Sequence, residues 1–113
     1  MAILKRNDKN SVAYILLNSP ETLNSLSDEM LAALTNEFEN LQSDTQIRAV
    51  VLSGAGKAFC AGHNLKEMTK GRNAKDGGKS YFLDLFERCA KMMMLVQKLP
   101  QPVIAKVHGI ATA

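Results

Sequence analysis

Apolar and polar positions sort the chain into short elements. The runs AILKRN and SVAYILLN flank Asp8, Lys9 and Asn10. The second run alternates and then turns fully apolar, so the pair predicts an N-terminal β-hairpin. Pro20 has no N–H to donate and ends the second strand. Ser27 is placed to cap a helix, with Asp28 and Glu29 in the first turn, where the helix dipole favours negative charge. Leu31, Leu34, Phe38 and Leu41 then recur on one helical face. RAVVLSG, closed by Gly54, predicts a buried strand. The polar stretch KGRNAKDGGKS, residues 70–80, predicts a mobile loop. Beyond it Phe82, Leu85, Phe86, Cys89, Met92, Met93, Val96 and Leu99 keep a helical stripe, and Pro100 and Pro102 stop it. A last strand, apolar on both faces, is predicted over 103–107. The order of strand, strand, helix, strand, loop, helix, strand argues an α/β fold. No shift in composition divides the chain.

Composition narrows the classes. The chain has 113 residues, 46% hydrophobic and 22% charged. It suits one domain or part of a larger one. Fourteen basic residues oppose 11 acidic ones, a net charge of +3, and aromatics are only 5%. A nucleic-acid partner calls for a denser basic stripe with stacking aromatics. No apolar run reaches membrane-spanning length, so no membrane partner is expected. Cys60 and Cys89 lie far apart in no metal-ligand pattern, and the charged N-terminus lacks a signal-peptide core. A reduced, cytoplasmic protein is the expectation.

Several familiar chemistries fail on spacing. Gly56-Lys57 would sit in a phosphate-binding loop, but Val51 stands at its first glycine and Ala58 at its Ser/Thr. Phe59 occupies the third glycine of a dinucleotide-binding pattern. His63 and His108 share no ligand spacing with a cysteine or carboxylate, so no metal site is expected. Phe59 and Ala61 flank Cys60 and suit packing better than nucleophilic work. Met92, Met93 and Met94 read as core and helix-interface filler.

The segment GKAFCAGHNLKEM, residues 56–68, is more specific. Ala58-Phe59-Cys60-Ala61-Gly62-His63-Asn64-Leu65 resembles the signature A-F-x-A-G-x-D-L of the crotonase superfamily, the enoyl-CoA hydratase/isomerase family. Asn18-Ser19-Pro20 with Leu23-Asn24-Ser25-Leu26 is similar to its N-R-P…x-N-A-L segment. Pro102-Val103-Ile104-Ala105-Lys106-Val107-His108-Gly109 is similar to its P-V-I-A-x-V-x-G strand. The three motifs keep the family's order and span the chain. The histidine after Ala-Gly resembles the branch called enoyl-CoA hydratase domain-containing proteins.

The resemblance implies the N-terminal part of a single crotonase-like (ClpP/crotonase) domain built of ββα units, with the C-terminal remainder absent. It implies an acyl-CoA thioester as substrate, with coenzyme A part of the substrate and no separate cofactor. The thioester oxygen sits between two backbone N–H groups that stabilise its developing negative charge. The first donor is the amide of His63. Ala61 and Gly62 leave room for the thioester, and Asn64, Leu65 and Lys66 complete the binding segment. Enoyl-CoA hydratase is the leading activity. Isomerase, other lyase or hydrolase chemistry, or non-catalytic acyl-CoA binding are the alternatives, because the fold alone does not choose. By the family register the second donor and the catalytic carboxylates lie beyond Ala113. This stretch alone is therefore expected to be inactive, and to expose the 103–107 strand and the stripe from Phe82. The complete protein is expected to form a homotrimer or hexamer. Three departures stand out. Asn64 replaces the common aspartate, Glu21 stands where many members carry a base, and His63 is bulkier than the usual alanine. Phosphate contacts then fall to Lys57 or Lys66.

Overall fold

The computed structural model describes residues 2–112. Two strands, β1 (Leu4–Lys9) and β2 (Val12–Leu17), form the hairpin. Its turn is Asn10-Ser11, not 8–10, since Lys9 pairs with Val12. Both turn residues hold positive φ, 53° and 64°. That backbone suits a two-residue hairpin, whose twist must match the strands. Helix α1 (Asp28–Gln42) follows, capped by the Ser27 side chain, which accepts from the Met30 N–H. Strand β3 (Ala49–Gly54) runs parallel to β2, and β5 (Val103–Ala105) runs parallel to β3. The sheet order is β1-β2-β3-β5. Strand β4 (Ala58–Cys60) and β6 (Ile110–Ala111) pair in a second, two-stranded sheet. Helices α2 (Leu65–Arg72) and α3 (Lys79–Lys98) lie between β4 and β5. The chain is therefore α/β, and its later strand pairs divide between the two sheets.

One face of the large sheet carries the core. Ala13, Ile15 and Leu17 alternate inward and meet Met30, Leu31, Leu34, Phe38 and Leu41 of α1. Leu85, Met92 and Leu95 of α3 close the layer. Gln101 is buried and donates to the carbonyls of Leu41 and Asp44, satisfying the end of α1. Arg6 on β1 reaches Glu37 and Asp44 at 2.7 and 3.0 Å and fixes the hairpin to the helix. Its guanidinium is held more firmly charged by the hydrogen bond to Asp8, against the opposing effect of burial, and by those to Glu37 and Asp44.

Several expectations need correction. The polar stretch 70–80 is a loop only over 73–78, because α2 runs through Arg72 and α3 begins at Lys79. Strand β3 is central, yet only Val50 in it is fully buried. The last strand stops at Ala105 and not at 107, and β3 is its one neighbour among the described residues, which leaves it open as expected. Tyr14, Val51 and Ile104 are register partners on the face away from the helices, and Ile104 is 55% exposed. The α3 stripe divides as well. Leu85 and Met92 are buried, whereas Phe86 and Met93 are half exposed beside Leu83 and Met94. Helix α3 thus has two apolar faces, and the described residues cover one.

Candidate functional site

The site is built on a turn that the periodicity left unassigned. Pro20–Thr22 form a single 3₁₀ turn, and Leu23 and Asn24 then both adopt φ of 55°. Left-handed backbone is costly for leucine and tolerated by asparagine. Long-range bonds hold it there. Asn24 is fully buried. Its Oδ1 accepts from the Ser19 N–H at 2.8 Å, and its Nδ2 donates to the carbonyls of Ala55 and Ala58 at 2.9 and 3.0 Å. The same turn receives the chain leaving β4. The Ala61 N–H donates to the Leu23 carbonyl at 3.0 Å, and the Leu26 N–H donates to the Gly62 carbonyl at 2.7 Å.

This last bond orients the Gly62–His63 peptide. The peptide is trans. In a planar trans unit the C=O and N–H point in opposite directions. The Gly62 carbonyl faces Leu26, so the His63 N–H faces away from it. Among the described residues that N–H donates no hydrogen bond. Gly62 supplies the turn with φ of 90°, a region that suits glycine. Helix α2 starts immediately after, capped by the Asn64 side chain, which accepts from the Glu67 N–H at 3.1 Å. The Asn64 side-chain amide oxygen thus caps the helix as a carboxylate would, without the charge.

An open cleft of about 480 Å³ lies over this segment. Ala61, His63, Asn64, Leu65 and Lys66 line it, joined by Glu21, Leu23, Ser25 and Met68. Gly62 lies behind the lining and shapes it through its backbone. Leu65 is 74% exposed, an apolar side chain presented at the rim. Lys66 is in the lining and Lys57 is not. Lys57 belongs to the β3–β4 turn, where His108 Nε2 bonds the Gly56 carbonyl at 2.7 Å. The two histidines therefore serve different places, and no metal-holding cluster occurs among the described residues. Cys60 packs at the edge of the core, and burial pushes the Cys89 thiol up, which suits neither to attack.

Sequence reasoning named Asn24 only as part of a motif. Its clasp spans 31 and 34 residues of separation. The available signal was an Asn beside Leu23 in a segment without periodicity, since asparagine tolerates left-handed backbone. Glu67 was also missed. It accepts from the Asp28 N–H at 2.8 Å and links α2 to the start of α1.

The sequence pattern of the family described as enoyl-CoA hydratase/isomerase matches residues 7–113. The chain belongs to the enoyl-CoA hydratase/isomerase family. This family member is 40% identical over 105 residues to enoyl-CoA hydratase domain-containing protein 3, mitochondrial, of Xenopus laevis, covering 93% of this chain and 34% of that protein. It is 36% identical over 113 residues to 1,2-epoxyphenylacetyl-CoA isomerase of Escherichia coli (strain K12), covering 98% of this chain and 42% of that one. The crystal structure of enoyl-CoA hydratase from Mycobacterium smegmatis superposes with a TM-score of 0.91 at 48% identity, covering 100% of this chain and 42% of the other. The chain thus spans 34–42% of the length of these relatives, and over its own length it has the crotonase-like α/β fold of the superposed structure.

Proposed function

We propose that the chain binds an acyl-CoA thioester along residues 61–66 and that the His63 N–H receives the thioester oxygen. One observation carries the reading. The Gly62–His63 peptide is anchored by its carbonyl, and its N–H has no acceptor among the described residues, beside an open cleft. An anchored carbonyl also polarises the N–H on its other side. Such a preorganised donor stabilises an enolate-like oxygen and is worth about 3 kcal/mol in comparable sites. The start of α2, two residues from His63, adds its positive end to the same field. The neutral Asn64 caps it without opposing that field by a charge.

For the whole protein we assign addition of water across a 2-enoyl thioester. As water attacks the β-carbon, electrons move to the thioester oxygen, and protonation at the α-carbon returns them. The backbone donor serves the middle of that sequence. Double-bond isomerisation is the second reading, favoured by the 34% identity over 103 residues to Delta(3,5)-Delta(2,4)-dienoyl-CoA isomerase, mitochondrial, of Mus musculus, since it passes through the same oxygen charge. Coenzyme A belongs to the substrate in both readings, with Lys66 near its phosphates. Assembly into a homotrimer or a pair of trimers belongs to the proposal, and the half-exposed Met93 and Met94 supply apolar surface for it.

An NMR titration of the ¹⁵N-labelled chain tests the binding step. Butanoyl-CoA is expected to shift the His63 amide resonance well beyond the shift given by coenzyme A alone. An unmoved His63 amide with saturated ligand would refute the assignment.

A further inference from the structure

The His63 side chain has surroundings distinct from those of its amide. Its ring meets Phe86 of α3 edge to face, with centroids 6.0 Å apart and an interplanar angle of 71°. Phe86 stacks on Phe82 at 6.1 Å and 23°. His63 also borders the cleft, with Ala61, Leu65 and Met68. Phe82 and Phe86 do not line that cleft. His63 thus joins the lining of the cleft to a row of aromatic rings. Its Nδ1 is sealed from solvent and has no hydrogen-bond partner among the described residues.

We propose that the His63 imidazole is a specificity-determining partition that closes the cleft against Phe82 and Phe86 and selects short acyl groups. This rests on the acyl-CoA reading above. An alanine at the same position keeps the backbone N–H and removes the wall. The cleft then opens toward Phe86, which is 51% exposed and offers apolar surface. Each methylene that leaves water there improves affinity about fourfold. Two further methylenes improve it by roughly tenfold or more.

The test is calorimetric titration of the 113-residue chain with butanoyl-CoA and octanoyl-CoA, both saturated and unreactive toward hydration. Wild type is expected to prefer the shorter thioester. His63→Ala is expected to move the ratio of the two Kd values about tenfold toward octanoyl-CoA. His63→Phe keeps a flat ring against Phe86 and is expected to hold the ratio within about threefold of wild type. His63→Ser reads the same ratio if the alanine variant does not fold. A ratio unmoved in the small-residue variants, or moved equally by His63→Phe, overturns the partition and leaves the acyl-CoA reading standing. Wild type that binds neither thioester overturns both.

Discussion

Replacing Asn24 by alanine tests whether one buried side chain holds the site together. The side chain is fully buried and makes three hydrogen bonds at 2.8, 2.9 and 3.0 Å. Alanine leaves the Ser19 N–H and the Ala55 and Ala58 carbonyls without these partners. Each loss costs about 1 kcal/mol net, and more where the abandoned group stays dry. The backbone at φ of 55° adds about 1 kcal/mol for a residue that does not tolerate that region as asparagine does. The sum is about 4 kcal/mol, a large share of the stability of an ordinary domain. With a urea slope of about 1.5 kcal/mol per M, the midpoint falls by roughly 2–3 M. Urea unfolding followed by circular dichroism, at equal protein concentration for both forms, measures it. Asn24→Asp separates the roles. It keeps an acceptor for the Ser19 N–H and sets a carboxylate against two carbonyls, so it is expected to be at least as damaging at neutral pH. An Asn24→Ala midpoint within 0.5 M of wild type, a window of less than about 1 kcal/mol, would refute the reasoning.

Four further outcomes follow from the geometry. Gly62→Ala forces a side chain onto a backbone with φ of 90° and should lower stability by about 1–2 kcal/mol; it should also abolish the butanoyl-CoA shift at His63, seen by the same NMR titration. Ser27→Ala removes the acceptor for the Met30 N–H and should cost about 1 kcal/mol in urea unfolding. The Asp44 carboxyl is held below its usual range, first by the hydrogen bond from Arg6. A lowered folded-state pKa stabilises above the ordinary carboxylate range and is lost as pH falls through the folded value, so the Tm gap between wild type and Arg6→Met should be full at about pH 6 and shrink below about pH 4. Leu83→Lys with Met94→Lys places charge on the half-exposed face of α3 and should raise the monomer fraction in light scattering, because exposed apolar patches drive association.

Local chemistry in the sequence determined the hairpin, α1, β3, α3 and β5. The stripe Leu31, Leu34, Phe38 and Leu41 is the buried face of α1, and Ser27 caps that helix. These signals are legible because a helix or cap joins residues three or four apart. The segment 61–66 was legible in the same way, as an uninterrupted motif, and five of its six residues line the cleft. Tertiary structure decided the rest. A stripe reports that a helix has an apolar face and not which neighbour covers it, so Phe86 and Met92 look alike in sequence while only Met92 is buried. A strand of apolar residues does not reveal its neighbours, and among the described residues β5 pairs with β3 alone. The direction of the His63 N–H comes from the bond between Leu26 and Gly62, and the place of its ring from Phe86. Those contacts join segments more than 20 residues apart along the chain. They exist only once the Asn24 turn, β4 and α3 are brought together, and no local periodicity encodes that meeting.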